Sequence, residues 1–348
     1  MNRNVIFALL AAALFGASTP FAKQLLGAIN PLLLGGLLYL GSGLGLGVIR
    51  LIRDRAWRPS EIARGDWPWL LGAIFFGGVL GPVALLFGLT RISGSTASLL
   101  LNLESVLTAL LAWIVFKENA DRRIVLAMLA IVAGGVVLSW PVAGTVASDW
   151  IGQAAIALAC LCWAIDNNLT RKVSASDALF IASSKGLIAG AVNTVLALLL
   201  GVALPGGWVT LTAMSLGLLG YGVSLVLFVL ALRGLGAARS GAYFSTAPFI
   251  GAAVSLLLLN ETATPMFWMA AVLMGVGVWL HLTEHHEHDH THEAVTHAHS
   301  HGHDEEHHDH THDFSWDRRS PHEHVHEHVT LTHKHPHFPD VDHRHVHE

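Results

Sequence analysis

The segment "LTRISGSTASLLLNLESVLTALLAWIVFKEN", residues 89–119, contains an apolar run that decides the class of fold. The run extends from residue 95 to residue 116, and a helix of about 20 such residues crosses a hydrocarbon core of about 30 Å. One charged residue, Glu104, interrupts the run near its middle. The segment therefore predicts a membrane-spanning helix with a carboxylate close to the midplane.

Similar apolar runs occur along most of the chain, which has a mean hydropathy of +0.52, 53% apolar residues and 13% charged residues. These values lie outside the range of soluble proteins and indicate an integral membrane protein. Ten transmembrane helices are predicted, at residues 5–27, 31–52, 67–90, 95–116, 122–141, 150–170, 178–203, 211–233, 237–259 and 264–283.

The orientation follows from the lysines and arginines in the short loops, because such residues accumulate on the cytoplasmic side. With a cytoplasmic N-terminus, the inner loops hold thirteen of them and the outer loops hold Arg91 and Lys23. Both termini are then predicted to be cytoplasmic, in an inner (plasma) membrane. The thirteen are Arg3, Arg50, Arg53, Arg55, Arg58, Arg64, Lys117, Arg122, Arg123, Arg171, Lys172, Arg233 and Arg239.

The two halves of the apolar region resemble each other. "LLAWIVFKEN" (110–119) aligns with "AVSLLLLNET" (253–262), which brings Glu118 onto Glu261. "LFGASTPFAK" (14–23) aligns with "CWAIDNNLTR" (162–171), which brings Lys23 onto Arg171. Five spans in each half is an odd number, so the halves are predicted to have opposite topology. Inverted repeats are typical of transporters, whose site lies at the repeat interface.

The segments 89–119 and "LGAARSGAYFSTAPFIGAAVSLLLLNET" (235–262) resemble the EamA-type drug/metabolite transporter superfamily, and the resemblance covers residues 5–283. It implies ten helices in two inverted five-helix repeats, residues 1–141 and 142–283, and the export or exchange of small metabolites. The proline usual in that family is present as Pro248 in the second half. The aligned residue of the first half is Ser105, preceded by Glu104.

Charged residues inside a membrane are costly and usually face a cavity or a partner. Four are predicted. Glu104 is the deepest, because it lies near the middle of its span, and its side chain therefore cannot reach the headgroups. Lys23 is closer to the outer end of its span, where its stem could extend to the surface. Asp166 and Lys185 are predicted at similar depth, as a structural ion pair or as part of a solute site. The full set of candidate substrate or coupling residues is Lys23, Asn102, Glu104, Asp166, Asn167, Lys185, Tyr243 and Ser245.

All 24 histidines lie at or after His281, most of them in an acidic tail, residues 284–348. The tail has few apolar residues and is predicted to be disordered and cytoplasmic. Neutral imidazole is a ligand for zinc, nickel and cobalt, so the tail is predicted to bind divalent metal, although no cofactor is required. The candidate ligands are His285, His286, His288, His290, His292, His297, His299, His301, His303, His307, His308, His310 and His312.

These patterns favour a secondary transporter, not an enzyme, that moves a small organic metabolite or drug-like solute outward. No glycine-rich ATP-binding motif is present, so a gradient would supply the energy. One alternative is a carrier for divalent transition metal or its complexes, although the absence of histidine before residue 281 disfavours it. Another alternative is a membrane-anchored metal buffer or sensor. The expected partners are the solute, the lipid bilayer, divalent metal and a second copy in a homodimer, with no nucleic acid.

Overall fold

The computed structural model describes residues 3–55, 62, 64–116, 122–140, 149–173, 177–228, 230–231, 243–282, 287–292, 295–301, 322–328 and 331–336. They belong to two units, Met1–Glu284 and His285–Glu348.

The first unit is helical. Its α-helices are α1 (Arg3–Leu25), α2 (Pro31–Asp54), α3 (Trp67–Ala73), α4 (Gly81–Arg91), α5 (Gly94–Leu100), α6 (Leu103–Phe116), α7 (Arg122–Ser139), α8 (Trp150–Arg171), α9 (Ala178–Leu199), α10 (Gly207–Gly217), α11 (Ala247–Leu258) and α12 (Pro265–Leu282). A 3₁₀ turn, Arg64–Asp66, precedes α3.

Several helices begin at a side chain that accepts a hydrogen bond from the first turn. Asn30 accepts one from the Leu32 amide, Ser93 from Thr96, Asp149 from Ile151 and Asp177 from Leu179. Such caps satisfy amides that have no partner within the helix. They fix where α2, α5, α8 and α9 start.

Within the described residues, eight spans are long and apolar enough to cross a membrane, so the chain is a multi-pass membrane protein. They are Arg3–Leu25, Pro31–Asp54, Trp67–Arg91, Gly94–Val115, Arg122–Ser139, Trp150–Thr170, Leu179–Leu199 and Gly207–Phe228. The shorter apolar helices Ala247–Leu258 and Pro265–Leu280 lie where the ninth and tenth spans are predicted. Residues 237–242, the beginning of the predicted ninth span, are outside the described part of the chain.

Small residues allow these helices to approach closely. A Cβ atom on Gly41 would lie 2.0 Å from the carbonyl oxygen of Met214, and one on Gly217 would lie 1.9 Å from that of Leu38. Close backbone approach is the usual way in which membrane helices pack, because lipid provides no hydrophobic driving force between them. Many large apolar side chains are exposed, including Ile52, Leu199 and Leu257, as expected of a surface that contacts lipid.

Two spans contain π-helical segments and two contain a turn. The third span is π-helical at Ile74–Leu80, and the eighth is π-helical at Leu218–Val223. The fourth span turns at residues 101–102, between α5 and α6, and another turn at residues 245–246 precedes α11. π-Helical segments and broken helices leave backbone groups without their regular partners, and they often occur at functional sites.

The described residues of the tail are short strands, β1 (Glu287–His292), β2 (Val295–His301), β3 (His322–His328) and β4 (Leu331–Pro336). β1 pairs with β4, and β2 pairs with β3, both antiparallel. The His-x-His alternation in these segments has the period of two that suits a strand, and the segments also contain Val and Thr, which favour strands. Two-stranded pairing then satisfies backbone groups without a large apolar core.

Candidate functional site

An ion pair between α8 and α9 is the centre of the candidate site. The Lys185 ammonium donates to the Asp166 carboxylate, and the Thr170 hydroxyl donates to the other Asp166 oxygen at 2.9 Å. Both charged side chains are largely buried, with 17% of Lys185 and 7% of Asp166 exposed. Asp166 lies in the last two turns of its span and Lys185 in the first two turns of the next. Asp166 and Lys185, which were predicted to lie at similar depth, are therefore in direct contact.

The Asp166 carboxylate lies against the π-helical segment of the third span. A Cβ atom on Gly77 would be 1.9 Å from Asp166 Oδ2 and 2.6 Å from Asp166 Cβ, so only glycine fits there. The Gly77 carbonyl accepts hydrogen bonds from the Tyr39 hydroxyl at 2.8 Å and the Trp163 indole at 3.0 Å. The π-helical segment thus positions the carboxylate and collects two amphipathic aromatic side chains beside it.

A second group of polar side chains links α8 to α6. Asn167 donates to the Glu104 carboxylate at 2.9 Å, and Asn168 donates to the Ala164 carbonyl at 2.8 Å and to the Thr108 carbonyl at 3.4 Å. Asn167 is exposed, whereas Asn168 is buried. Since α8 is regular to Arg171, residues 166, 167 and 168 point about 100° apart, and each finds a different partner.

Glu104 lies at the middle of the span Gly94–Val115, in the first turn of α6 after the break. It is within electrostatic range of both Asp166 and Lys185. Two carboxylates, one ammonium and an exposed amide are therefore gathered among apolar helices. We call Glu104, Asp166, Asn167 and Lys185 the polar cluster. Such a cluster can hydrogen-bond a polar solute and can accommodate charges of either sign.

The other predicted residues lie apart from these contacts. Asn102 is buried and donates to the Leu99 carbonyl at 2.9 Å and to Met274 Sδ at 3.8 Å, so it links the broken fourth span to α12. Lys23 donates to backbone carbonyls at the end of α4. Tyr243 and Ser245 lie at the turn before α11, where the Tyr243 carbonyl accepts from the Thr246 hydroxyl at 2.6 Å.

Among the side chains that the structure describes, no group of three or more His, Cys, Asp or Glu could hold a metal ion. Of the candidate tail ligands, His288, His290, His292, His297, His299 and His301 belong to strands whose backbone pairing is described. The rest lie outside the described residues: His285, His286, His303, His307, His308, His310 and His312.

Comparison with known proteins identifies the family. The model of the EamA-like transporter family matches residues 2–140 and, a second time, residues 150–283. The chain belongs to the EamA-like transporter family. An uncharacterized transporter of Methanothermobacter thermautotrophicus is 27% identical over 288 residues, which are 78% of this chain and 83% of that protein. A crystal structure that is 18% identical matches with a TM-score of 0.61 over 81% of this chain and 99% of its own, which shows the shared fold.

In this EamA-like transporter both family matches end before the tail, and each covers one half of the helical unit. Asp166 and Lys185 lie in the second match and Glu104 in the first, so the polar cluster joins the two. A cavity of about 450 Å³ lies elsewhere, beside Leu103, Trp140, Trp150 and Gln153, and its lining is mainly apolar. Charged groups, more than cavity volume, therefore locate the candidate site of this EamA-like transporter.

Sequence reasoning missed several contributors to the site, namely Tyr39, Gly77, Thr108, Trp163 and Thr170 as partners of the cluster. The signal for Thr170 was its i, i+4 spacing from Asp166, which places both on one helix face. The signal for Gly77 was the Gly77–Gly78 pair, which follows two aromatic residues in the third span. No local signal identifies Tyr39 or Trp163, because both act through a carbonyl of another helix.

Proposed function

We propose that this EamA-like transporter is a secondary carrier that moves a small polar organic metabolite or drug-like solute outward across an inner membrane. The observation that supports this most is the polar cluster itself. Burying charge within the membrane costs about 2.5–3.5 kcal/mol per group on insertion scales. Charges retained at that cost usually bind a solute, a coupling ion or each other, and here exposed Asn167 leaves the cluster accessible.

We further propose ten transmembrane helices arranged as two inverted repeats, residues 1–141 and 142–283. The family model matches each half separately. The π-helical segments lie in the third and eighth spans, and the two turns lie in the fourth and predicted ninth spans. The alignment of 110–119 with 253–262 places Asn102 opposite Ser245, so the two turns fall at equivalent positions.

The contacts across the two halves support the same relation. Gly77 lies against Asp166, and in the other half a Cβ atom on Gly220 would be 2.5 Å from Ser18 Cβ. The alignment of 14–23 with 162–171 makes Ser18 the counterpart of Asp166. Each half thus places a glycine of its π-helical segment against the first helix of the other half. A site at such an interface can open alternately to each side.

In this proposal Glu104 is the coupling carboxylate and Asp166 and Lys185 hold the solute. A carboxyl group that binds a proton from one side and releases it to the other exchanges that proton for the solute. Asn167 stabilises the charged form of Glu104 by donating to it at 2.9 Å. Solute that competes for Lys185 or Asn167 would change the proton affinity of the carboxylates, which is the linkage that exchange requires.

The experiment has two stages. The first compares metabolites in the medium of cells that lack and cells that overproduce the protein, with and without added nickel, cobalt and zinc. The second repeats the comparison with Asp166→Asn and with Ser105→Ala. Ser105 is the matched control because its hydroxyl donates to the Asn102 carbonyl, one residue from Glu104 and outside the cluster. A solute that accumulates with the parent and Ser105→Ala but not with Asp166→Asn is the expected result.

We also propose that the tail binds divalent metal on the cytoplasmic face. The strand register supports this, because β2 and β3 pair His297 with His326, His299 with His324 and His301 with His322. Neutral imidazole is a ligand for zinc, nickel and cobalt, so His positions that face each other along two paired strands suit a divalent ion.

Deleting residues 284–348 distinguishes the three functional hypotheses. A carrier of an organic solute keeps its flux without the tail. A metal carrier loses apparent affinity for metal, because the tail would deliver its substrate. A membrane-anchored buffer or sensor loses all of its activity. We expect the first outcome.

A further inference from the structure

The turn between the third and fourth spans, residues 91–95, is bound by side chains from three other parts of the bundle. It lies at the end of the bundle that the lysine and arginine distribution predicts to face outward. We call residues 91–95 the 91–95 turn. Three hydrogen bonds that reach its backbone from other parts of the bundle are made by charged side chains.

Glu261 binds the amide side of the 91–95 turn. Its two carboxylate oxygens accept from the Gly94 amide at 2.7 Å and from the Ser95 amide at 2.8 Å. These amides begin α5 and have no partner within the helix. Glu261 follows α11, so a residue of the second half caps a helix of the first half. Charge-assisted bonds of this kind are roughly twice as strong as neutral ones.

Lys23 binds the carbonyl side of the same turn. Its ammonium donates to the Leu89 carbonyl at 3.0 Å and to the Ile92 carbonyl, at the C-terminus of α4. Lys23 also lies within electrostatic range of Glu261. The turn passes between the two charges, and a Cβ atom on Gly94 would lie 3.2 Å from Lys23 Cδ and 2.8 Å from Ser255 Oγ. A larger residue at position 94 would push these partners away.

A third contact joins the turn to α8. Arg91 donates to Asp149 at 2.8 Å, and this hydrogen bond lowers the pKa of the Asp149 carboxyl. Asp149 also caps α8 by accepting from the Ile151 amide at 3.0 Å. The 91–95 turn is thus connected to the first span, to the sixth span and to the segment that follows α11.

The helices behind the turn are packed tightly on the way to the middle of the bundle. A Cβ atom on Gly16 would be 2.2 Å from the Ala247 carbonyl oxygen, and one on Gly251 would be 2.7 Å from the Gly16 carbonyl oxygen. Ser98, one turn along α5 from Gly94, has 1% of its surface exposed. The bundle is therefore closed along α1, α5 and α11 at this end.

We propose that Glu261 and Lys23 form a clasp that holds this end of the transporter closed, and that the clasp must release for the polar cluster to open toward it. The proposal rests on the alternating access of the proposed function. Glu261 and Gly94 belong to different halves, so any rotation of one half against the other at this end stretches their bonds. Because each carboxylate oxygen holds an adjacent amide, both bonds break together and the gate has two states.

Chemical labelling at Ser98 tests the clasp without any knowledge of the solute. The reporter is Ser98→Cys, a nearly isosteric change, in a background in which Cys160 and Cys162 are replaced by serine. A membrane-impermeant maleimide is added to spheroplasts, and separately to inside-out vesicles. With Glu261 and Lys23 intact, the buried reporter thiol should react slowly. Glu261→Gln, which replaces one carboxylate oxygen with a donor, should raise the rate about tenfold from the outer side, as loss of one charge-assisted bond would predict.

The matched control is Thr90→Val, because Thr90 is exposed next to the turn and its hydroxyl donates only within α4, to the Phe87 carbonyl at 2.7 Å. It should leave the labelling rate unchanged. If Glu261→Gln does not accumulate as folded protein, Lys23→Met replaces it, since the methionine keeps the stem and removes the donor. Folded variants that label no faster than Thr90→Val would overturn the clasp. The assay measures no flux, so it succeeds or fails independently of the coupling role of Glu104.

Discussion

Replacing Gly77 with alanine should separate Asp166 from Lys185. The added Cβ would lie 1.9 Å from Asp166 Oδ2, 2.3 Å from Cγ and 2.6 Å from Cβ. Carbon atoms in contact need about 3.5–4.0 Å, so α8 or the carboxylate must move by about 1 Å. Either shift pulls the Asp166 carboxylate away from Lys185 on α9, and a shift of the carboxylate alone also loses its hydrogen bond with Thr170. Breaking a buried ion pair costs about 3–5 kcal/mol, and we expect a loss of at least about 3 kcal/mol here.

A glycine exchange measures whether this contact causes the loss. Asp166→Gly alone should be strongly destabilising, because it leaves Lys185 without its buried partner. Adding Gly77→Ala to Asp166→Gly should cost less than about 1 kcal/mol, because glycine at position 166 has no Cβ to meet the new methyl group. Unfolding of the purified protein in detergent gives the four stabilities. Gly47→Ala is the control, since a Cβ there meets nothing within 4 Å. If Gly77→Ala costs the same in both backgrounds, contact with Asp166 does not cause the loss of stability.

Three further predictions concern Asp177 at the start of α9, metal binding by the tail and the side of the membrane on which the C-terminus lies. Asp177→Asn should destabilise the protein by about 1–2 kcal/mol at neutral pH. Despite partial burial, hydrogen bonds from Arg53 and Arg50 lower the pKa of the Asp177 carboxyl to about 2. The charged carboxylate therefore contributes its full stability above about pH 4 and loses it as the pH falls through about 2. Chemical unfolding should therefore show a smaller deficit at pH 2.5, and a constant deficit would disprove the ionic origin. The full chain should bind more zinc or nickel than a chain lacking residues 284–348 and should release the excess below about pH 6, when imidazole is protonated; calorimetric binding unchanged at pH 5 would point to carboxylate ligands. A reporter that is active only in the periplasm should be silent when fused after Glu348, and a strong signal would reverse the predicted orientation.

Hydropathy and span length were sufficient to predict the multi-pass architecture, because the membrane requires about 20 apolar residues wherever a helix crosses it. The contact between Asp166 and Lys185 could also be anticipated from the sequence, since both residues lie about two turns from the same end of their predicted spans. Span length was less informative for the predicted ninth and tenth spans, where the structure describes shorter apolar helices.

The details of the site could not be read from the sequence. The π-helical segment at Ile74–Leu80 has no periodic signature in the sequence, and its contact with Asp166 of another helix at Gly77 depends on the tertiary packing. Tyr39 and Trp163 converge on one carbonyl, which depends on how their helices are rotated. Lys23 is a candidate because of its charge, and the sequence does not show that its ammonium donates to backbone carbonyls at the end of α4.

Composition and residue order in the tail carry different signals. Its composition, rich in charge and poor in apolar residues, predicted disorder because such chains bury little surface. The alternation within β1 to β4 carries a separate signal, the period of two, which composition does not include. Register is then what pairs histidine with histidine between β2 and β3.

The most direct test of the central claim is counterflow of the identified solute in proteoliposomes under an imposed pH gradient, with the parent, Glu104→Gln and Ser105→Ala. The glutamine keeps the size and hydrogen bonding of Glu104 but cannot release a proton. We expect that the parent and Ser105→Ala respond to the pH gradient, whereas Glu104→Gln loses at least about tenfold in flux or loses its pH dependence. A folded Glu104→Gln protein that transports at the parent rate with the same pH dependence would contradict the account.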